Sequence, residues 1–331
     1  MSCHFTFKTR NKKSVTMLVE EFILRGILVA ALTPYNYKDP LSLNLTVIPD
    51  YVQYLEKKGV AGVLIGATTG EGQALSVPER KSLAEEWMKA IKSTKLHLMV
   101  HIGGAPLPDV LELAKHAEKL HVDSLLTLPE LYFRPSNEKE LATYLKLVSD
   151  AAPNTPLLYY HTPQRAPIKG LNIAEFLENY GYLVPTLVGI KYSNTDLSEV
   201  AQALEARNGN YTILVGAEKL IYPACALGAE AFISASSNLF PELPLTISEA
   251  WKNKDFEKAK KHQELFTKAL NVYPLFGNQV QGIKLAMRHL TPFDFGDARI
   301  PWNRISSEKE VKLIKELQKE VIDKMEFLGI K

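Results

Sequence analysis

Eight short apolar runs recur between residues 26 and 234, each ending near Gly, Pro, Asn or a hydroxyl residue. They are Gly26 to Leu32, Val60 to Ile65, Leu96 to Ile102, Ser124 to Leu128, Leu157 to Tyr160, Leu187 to Lys191, Tyr211 to Val215 and Glu230 to Ser234. Runs of this length without polar alternation read as strands covered on both faces, as in a parallel sheet. The intervening stretches carry helical spacing instead, as at Tyr51, Tyr54, Leu55 and Lys58, before a Gly59 suited to ending a helix. Repeated strand–helix alternation predicts βα units, and eight of them predict a (β/α)8 TIM barrel, an α/β fold. From Phe240 onward the pattern is helical only, through Trp251, Phe256, Leu265 and Leu270 and past a proline turn between Arg299 and Trp302. The expected organisation is an N-terminal extension over 1–22, a barrel over 23–240 and a C-terminal helical region over 241–331. A doubly wound sheet is the competing architecture, but no Gly-x-Gly-x-x-Gly follows the first strand.

Composition narrows the function more than the fold. The 331 residues are 46% hydrophobic and 23% charged, ordinary values for a soluble globular enzyme. The 39 basic and 37 acidic residues are dispersed, leaving a formal charge of +2, with neither a basic stripe for nucleic acid nor a polybasic membrane anchor. No apolar stretch reaches the roughly 18 residues of a membrane helix, since Arg25 and Gly26 interrupt the Phe22 to Leu32 segment. Small-molecule chemistry is therefore the expected role. Cys3 and Cys225 lack disulfide-framework or zinc-site spacing, which fits a reducing compartment and a cytoplasmic location. Lys8, Arg10, Lys12 and Lys13 precede the first acid, Glu20, in a segment that weakly resembles a mitochondrial transit peptide. A disordered tail, or a start at Met17, accounts for it equally well.

In a barrel the reactive face lies at the carboxyl ends of the strands, so residues closing each run are the candidates. Lys191 ends Leu187-Val188-Gly189-Ile190-Lys191, which puts an ammonium at the rim of an apolar core. Desolvation penalises the charged form, so such an amine is a candidate nucleophile for a carbonyl; the alternative is a lysine that snorkels to water. After the second run, Gly66-Ala67-Thr68-Thr69-Gly70-Glu71-Gly72 precedes the capping-box pattern Ser76-Val77-Pro78-Glu79. Backbone N–H groups there, with the Thr68 and Thr69 hydroxyls, suit a small anion such as a carboxylate, or else simply close a tight turn. Tyr160, in Tyr159-Tyr160-His161-Thr162-Pro163, could relay protons to a nearby amine or could pack in the core. His101 and His161 read as satisfied barrel histidines, and no His, Cys, Asp and Glu set has metal-ligand spacing.

Taken together, these motifs resemble the pyruvate-dependent class I aldolases, the family that includes N-acetylneuraminate lyase and dihydrodipicolinate synthase, over about Gly26 to Pro301. The resemblance implies that Thr68 and Thr69 bind a pyruvate carboxylate, that Tyr160 transfers protons and that Lys191 forms a Schiff base, with no cofactor. It also implies a homotetramer, with Tyr132 in the loop Pro129 to Pro135 reaching a neighbouring subunit's site. The segments 70–80, 159–163 and 189–197 look most like animal-type neuraminate lyases, where Ser193 falls at a substrate-contacting hydroxyl. The lyases carry Gly-x-Asp-Glu after strand seven; this chain has Gly216-Ala217-Glu218-Lys219. Ala235 stands at a lyase serine, and Arg165 at a lyase leucine that is a substrate-binding arginine in the dipicolinate synthases. Neuraminate cleavage to pyruvate and N-acetylmannosamine is the first expectation. Condensation of pyruvate with another aldehyde, or cleavage of a different 2-keto-3-deoxy acid, is the alternative, with Arg165 and Lys219 facing a carboxylate. A barrel that only binds a keto acid is the non-enzymatic reading.

Overall fold

Each apolar run forms a strand, and the eight close on themselves. In order these are β1 (Gly26–Ala30), β2 (Gly62–Ile65), β3 (His97–His101), β4 (Ser124–Thr127), β5 (Leu157–His161), β6 (Leu187–Tyr192), β7 (Thr212–Val215) and β8 (Ala231–Ser234). All neighbours are parallel, and β8 pairs with β1 to complete the barrel. This computed structural model describes residues 22–36, 39 and 41–330. The expectations for the basic N-terminal segment lie outside the described residues.

Helices follow the strands one for one: α1 (Ile48–Lys57), α2 (Val77–Ile91), α3 (Leu107–Leu120), α4 (Glu138–Ala151), α5 (Ile173–Asn179), α6 (Leu197–Gly209), α7 (Ile221–Ala226) and α8 (Glu242–Lys252). Their starts are written in the sequence. At α2 the Ser76 hydroxyl accepts the Glu79 N–H while the Glu79 carboxylate accepts the Ser76 N–H, the reciprocal cap expected there. Asn137, Asn172 and Asp196 cap α4, α5 and α6 with side-chain oxygens. α8 packs against β1 and α7, so it belongs to the ring of barrel helices. A boundary at residue 240 would assign it to the C-terminal region, because its apolar spacing does not distinguish it from the helices that follow. Those are α9 (Phe256–Val272), α10 (Gln279–Leu290), α11 (Ser307–Leu317) and α12 (Asp323–Phe327). No described helix is long and apolar enough to cross a membrane.

Two apolar layers explain why the strands show no polar alternation. Leu64, Met99, Leu126, Leu158, Val188 and Leu214 fill the barrel interior, while Val63, Leu98, Leu125, Tyr159, Ile190 and Ile213 pack outward under the helices. One irregularity matters for the site. Leu157 pairs with Leu187 but Leu158 pairs with Gly189, so β6 holds one extra residue, and Tyr160 comes level with Lys191. Without that bulge Tyr160 would face the outward-packing Ile190. Re-aiming a side chain at a reactive face is a common use of such an irregularity.

Glycine at 189 is what allows β6 to approach β7 at this bulge. A β-carbon there would lie 2.1 Å from the Thr212 carbonyl oxygen. Gly189→Ala is expected to destabilise the fold by about 1–3 kcal/mol, as overpacking does, which a lowered urea midpoint would report.

Candidate active site

Lys191 and Tyr160 face each other inside the carboxyl-terminal mouth of the barrel, each 5% exposed. The Lys191 Nζ lies 3.9 Å from the centroid of the Tyr160 ring, and Lys191 takes part in no ion pair among the described residues. Snorkelling to water is thus not what this lysine does. Tyr160 Oη and Thr68 Oγ1 are 3.4 Å apart, within hydrogen-bond reach. Burial alone would raise this phenol. The Lys191 charge and the hydrogen bonds from Thr68, Ser193 and Lys191 outweigh it and hold Tyr160 below the ordinary tyrosine value. A proton can therefore pass between an amine and a phenol within one enclosed, low-dielectric space.

The loop from Gly66 to Gly72 delivers Thr68 to that space. A β-carbon on Gly72 would fall 1.6 Å from the Gly66 carbonyl oxygen, so the two ends of the loop touch only because residue 72 has no side chain. The Glu71 N–H donates to the Thr68 carbonyl at 3.2 Å and the Gly72 N–H to Ala67 at 3.0 Å, closing the turn. Thr33 Oγ1 donates to the Gly70 carbonyl at 2.6 Å from the β1 side. Thr69 is buried beside Thr68, at 8% exposure. The glycine-rich pattern thus resolves into a rigid loop with one hydroxyl already on the tyrosine.

His101, read from the sequence as a barrel histidine, is buried at the mouth. Its position in β3 has the same inward parity as Met99, and its ring meets Tyr160 edge-on at 6.2 Å. Its Nδ1 lies 3.1 Å from the Gly66 carbonyl oxygen and 3.5 Å from an Arg80 Nη. Burial first, and then the Arg80 and Lys191 charges, hold this imidazole well below the usual histidine range, so it stays neutral. It braces the start of the Gly66 to Gly72 loop without adding charge. His161 faces the other way, stacked on Tyr192 at 5.4 Å, and burial pulls it down to about 4 against the opposing pull of Glu199.

The residues expected to meet a second substrate are distributed less tightly. Ser193 lies close against Gly216, where a β-carbon would come within 2.5 Å of the serine hydroxyl. Glu218 is anchored: Oε1 accepts the Ser234 hydroxyl at 2.6 Å and the Ser236 N–H at 2.8 Å, and Oε2 accepts Gln279 Nε2 at 2.7 Å. Gln279, which opens α10, had no sequence signal pointing to it. Lys219 is exposed and donates to Asn271 Oδ1 of α9 at 2.7 Å. Arg165 is exposed after β5, and Ala235 follows β8 half-buried. Tyr132 and Phe133, 84% and 82% exposed, pack edge to face on each other in the β4–α4 loop. Among the described residues no group of three His, Cys, Asp or Glu side chains is placed to hold a metal ion.

Comparisons with known proteins converge on this architecture. The model of the dihydrodipicolinate synthetase family matches residues 23–320. An N-acetylneuraminate lyase of Gallus gallus is 31% identical over 287 residues, covering 86% of this chain and 92% of that protein. The solved structure of an N-acetylneuraminate lyase from Proteus mirabilis superposes with a TM-score of 0.84 at 29% identity, covering 90% of this chain and 98% of that one. At 21% identity, a dihydrodipicolinate synthase from Cyanidioschyzon merolae shares the fold, with a TM-score of 0.81 over 89% of this chain and 98% of its own.

Proposed function

The chain belongs to the dihydrodipicolinate synthetase family and is an enzyme, a class I aldolase; on that premise we propose that it reversibly cleaves a 2-keto-3-deoxy sugar acid through a Schiff base on Lys191. The observation that carries this reading is the stacking of the Lys191 ammonium on Tyr160, with the Thr68 hydroxyl on the same phenol. Thr68, Thr69 and the loop N–H groups hold the keto acid's carboxylate. The neutral amine adds to the keto carbon, Tyr160 gives a proton to the carbonyl oxygen, and loss of water leaves an iminium. The iminium takes up the electron pair of the breaking C–C bond as the substrate hydroxyl gives its proton to Tyr160 or to the substrate carboxylate. An aldehyde departs, and the enamine, protonated at carbon and hydrolysed, leaves as pyruvate. Reversal joins the same enamine to an aldehyde.

N-acetylneuraminate is the first substrate we assign, with N-acetylmannosamine as the aldehyde, because the similar curated proteins carry that activity in their names and Ser193 and Glu218 offer the mouth a hydroxyl and an anchored carboxylate. A second reading, a smaller or more acidic aldehyde, is favoured by Arg165 and Lys219, which add positive charge where a sugar tail would want acceptors. Each lost hydroxyl contact is worth about 0.5–1.5 kcal/mol. Pyruvate release from N-acetylneuraminate, at a rate absent from a Lys191→Ala control, is the expected outcome. Release from another 2-keto-3-deoxy acid with none from neuraminate would favour the second reading. Tyr132 is assigned to a neighbouring subunit's site in a homotetramer, a role consistent with its exposure.

A further inference from the structure

The anion loop is held from behind by charges that the proposed chemistry does not use. Glu71 adopts a left-handed backbone, φ +54°, although Gly70 and Gly72 flank it and glycine would take that conformation without strain. A side chain that persists there is held by its contacts. The Glu71 carboxylate pairs with Lys284 Nζ of α10 at 2.7 Å, both side chains being 1% exposed, and Oε2 accepts the Arg299 N–H at 2.7 Å. Lys284 also lies 4.2 Å from the Tyr35 ring centroid and donates to the Asp297 carbonyl at 3.3 Å. The Arg299 guanidinium binds Glu79 through both Nη atoms, at 3.1 and 2.5 Å, and the Ala74 carbonyl at 2.7 Å. The C-terminal region thereby grips the chain at Glu71, Ala74 and Glu79, from the end of the loop to the first turn of α2.

A buried ion pair is poor evidence for added stability and better evidence for fixing one register. Burial indeed pulls Lys284 below the ordinary lysine range even with Glu71 pulling the other way, so desolvation outweighs the attraction. What the pair fixes is near the reaction. Through the turn in which the Glu71 N–H binds the Thr68 carbonyl, the position of Glu71 sets Thr68, and the Thr68 hydroxyl meets Tyr160.

We propose that Glu71 and Lys284 are positioning residues, through which the C-terminal helices hold the carboxylate-binding loop in register with Lys191 and Tyr160. This rests on the Schiff-base reading and adds that keto-acid capture depends on α10. The test compares two carbonyl compounds, pyruvate and acetone, the second lacking the carboxylate, by borohydride trapping on the full chain with the adduct mapped to Lys191. Lys284→Met is expected to raise the pyruvate concentration for half-labelling by up to about 100-fold, the scale of a 1 Å misplacement. Acetone labelling changes by no more than about twofold. Adding Glu71→Gln to Lys284→Met, which removes the stranded carboxylate, recovers part of the loss. If Lys284→Met does not yield folded protein, Lys284→Arg carries the same comparison, since it keeps the charge but alters the reach. Equal loss with both probes, or unchanged pyruvate labelling, overturns the proposal. No adduct at Lys191 of the unaltered protein with either compound overturns the Schiff base itself, and this inference with it.

Discussion

Lys191→Ala is expected to eliminate both pyruvate release and the borohydride-stable adduct, lowering turnover by at least about 10⁴-fold, because removing the nucleophile of a covalent mechanism leaves only binding and polarisation. Stability should not follow activity down. The ammonium is 5% exposed and faces a phenol ring rather than a carboxylate, so its removal relieves desolvation while creating a small cavity. The thermal midpoint of Lys191→Ala should therefore stay close to that of the unaltered chain, which separates a lost reaction from a lost fold. Intact-mass measurement after reduction with pyruvate checks the first half, and a melting curve the second. A persistent adduct in Lys191→Ala would move the chemistry to another lysine.

Lys284 is the internal control for that experiment, and it shows what the sequence could and could not convey. The tripeptide Gly-Ile-Lys occurs at 189–191 and again at 282–284, each with a lone lysine in an apolar run. Both lysines are buried, at 5% and 1% exposure. The signal that singled out Lys191 therefore marks burial and does not by itself mark reactivity. The difference lies in the partner: Glu71 neutralises Lys284, whereas Lys191 meets Tyr160. Such a pairing joins residues far apart in the chain and leaves no trace in local spacing. Strand position conveyed more, because each strand is covered on two faces and any break in its apolar run is visible. That sufficed for eight strands, the barrel and the positions of Lys191, Tyr160 and Thr68 at or just after strand ends. Facing was harder to read, as His101 and His161 illustrate. Both close strands, yet the first shares parity with the inward Met99 and the second with the outward Tyr159. The extra residue in β6 that brings Lys191 level with Tyr160 was equally hidden, since a bulge is a property of a strand pair.

Tyr160→Phe isolates the proton from the ring. The substitution keeps the aromatic face over which Lys191 sits but removes the hydroxyl that meets Thr68. Turnover is expected to fall by about 10²–10⁴-fold, the usual range for a positioned acid–base group, while KM for the keto acid changes far less because the loop proposed to hold the carboxylate is unaltered. The pH profile gives the sharper test. Tyr160 is held below its ordinary value of 10.0 by Lys191 and its hydrogen bonds despite burial, so on raising the pH it loses its proton sooner than an exposed tyrosine would. A phenolate cannot donate to the carbonyl oxygen, and turnover should decline on an alkaline limb whose midpoint lies below pH 10.0. In Tyr160→Phe that limb should vanish from the residual activity. Stability has a different dependence. A folded-state value lowered in this way adds stability in full only above the unfolded tyrosine's 10.0, and the gain is lost as pH falls through the lowered value. At neutral pH the charge environment of Tyr160 thus contributes almost nothing to folding. An alkaline limb that survives in Tyr160→Phe would assign the proton to another group and leave Tyr160 as packing beneath Lys191.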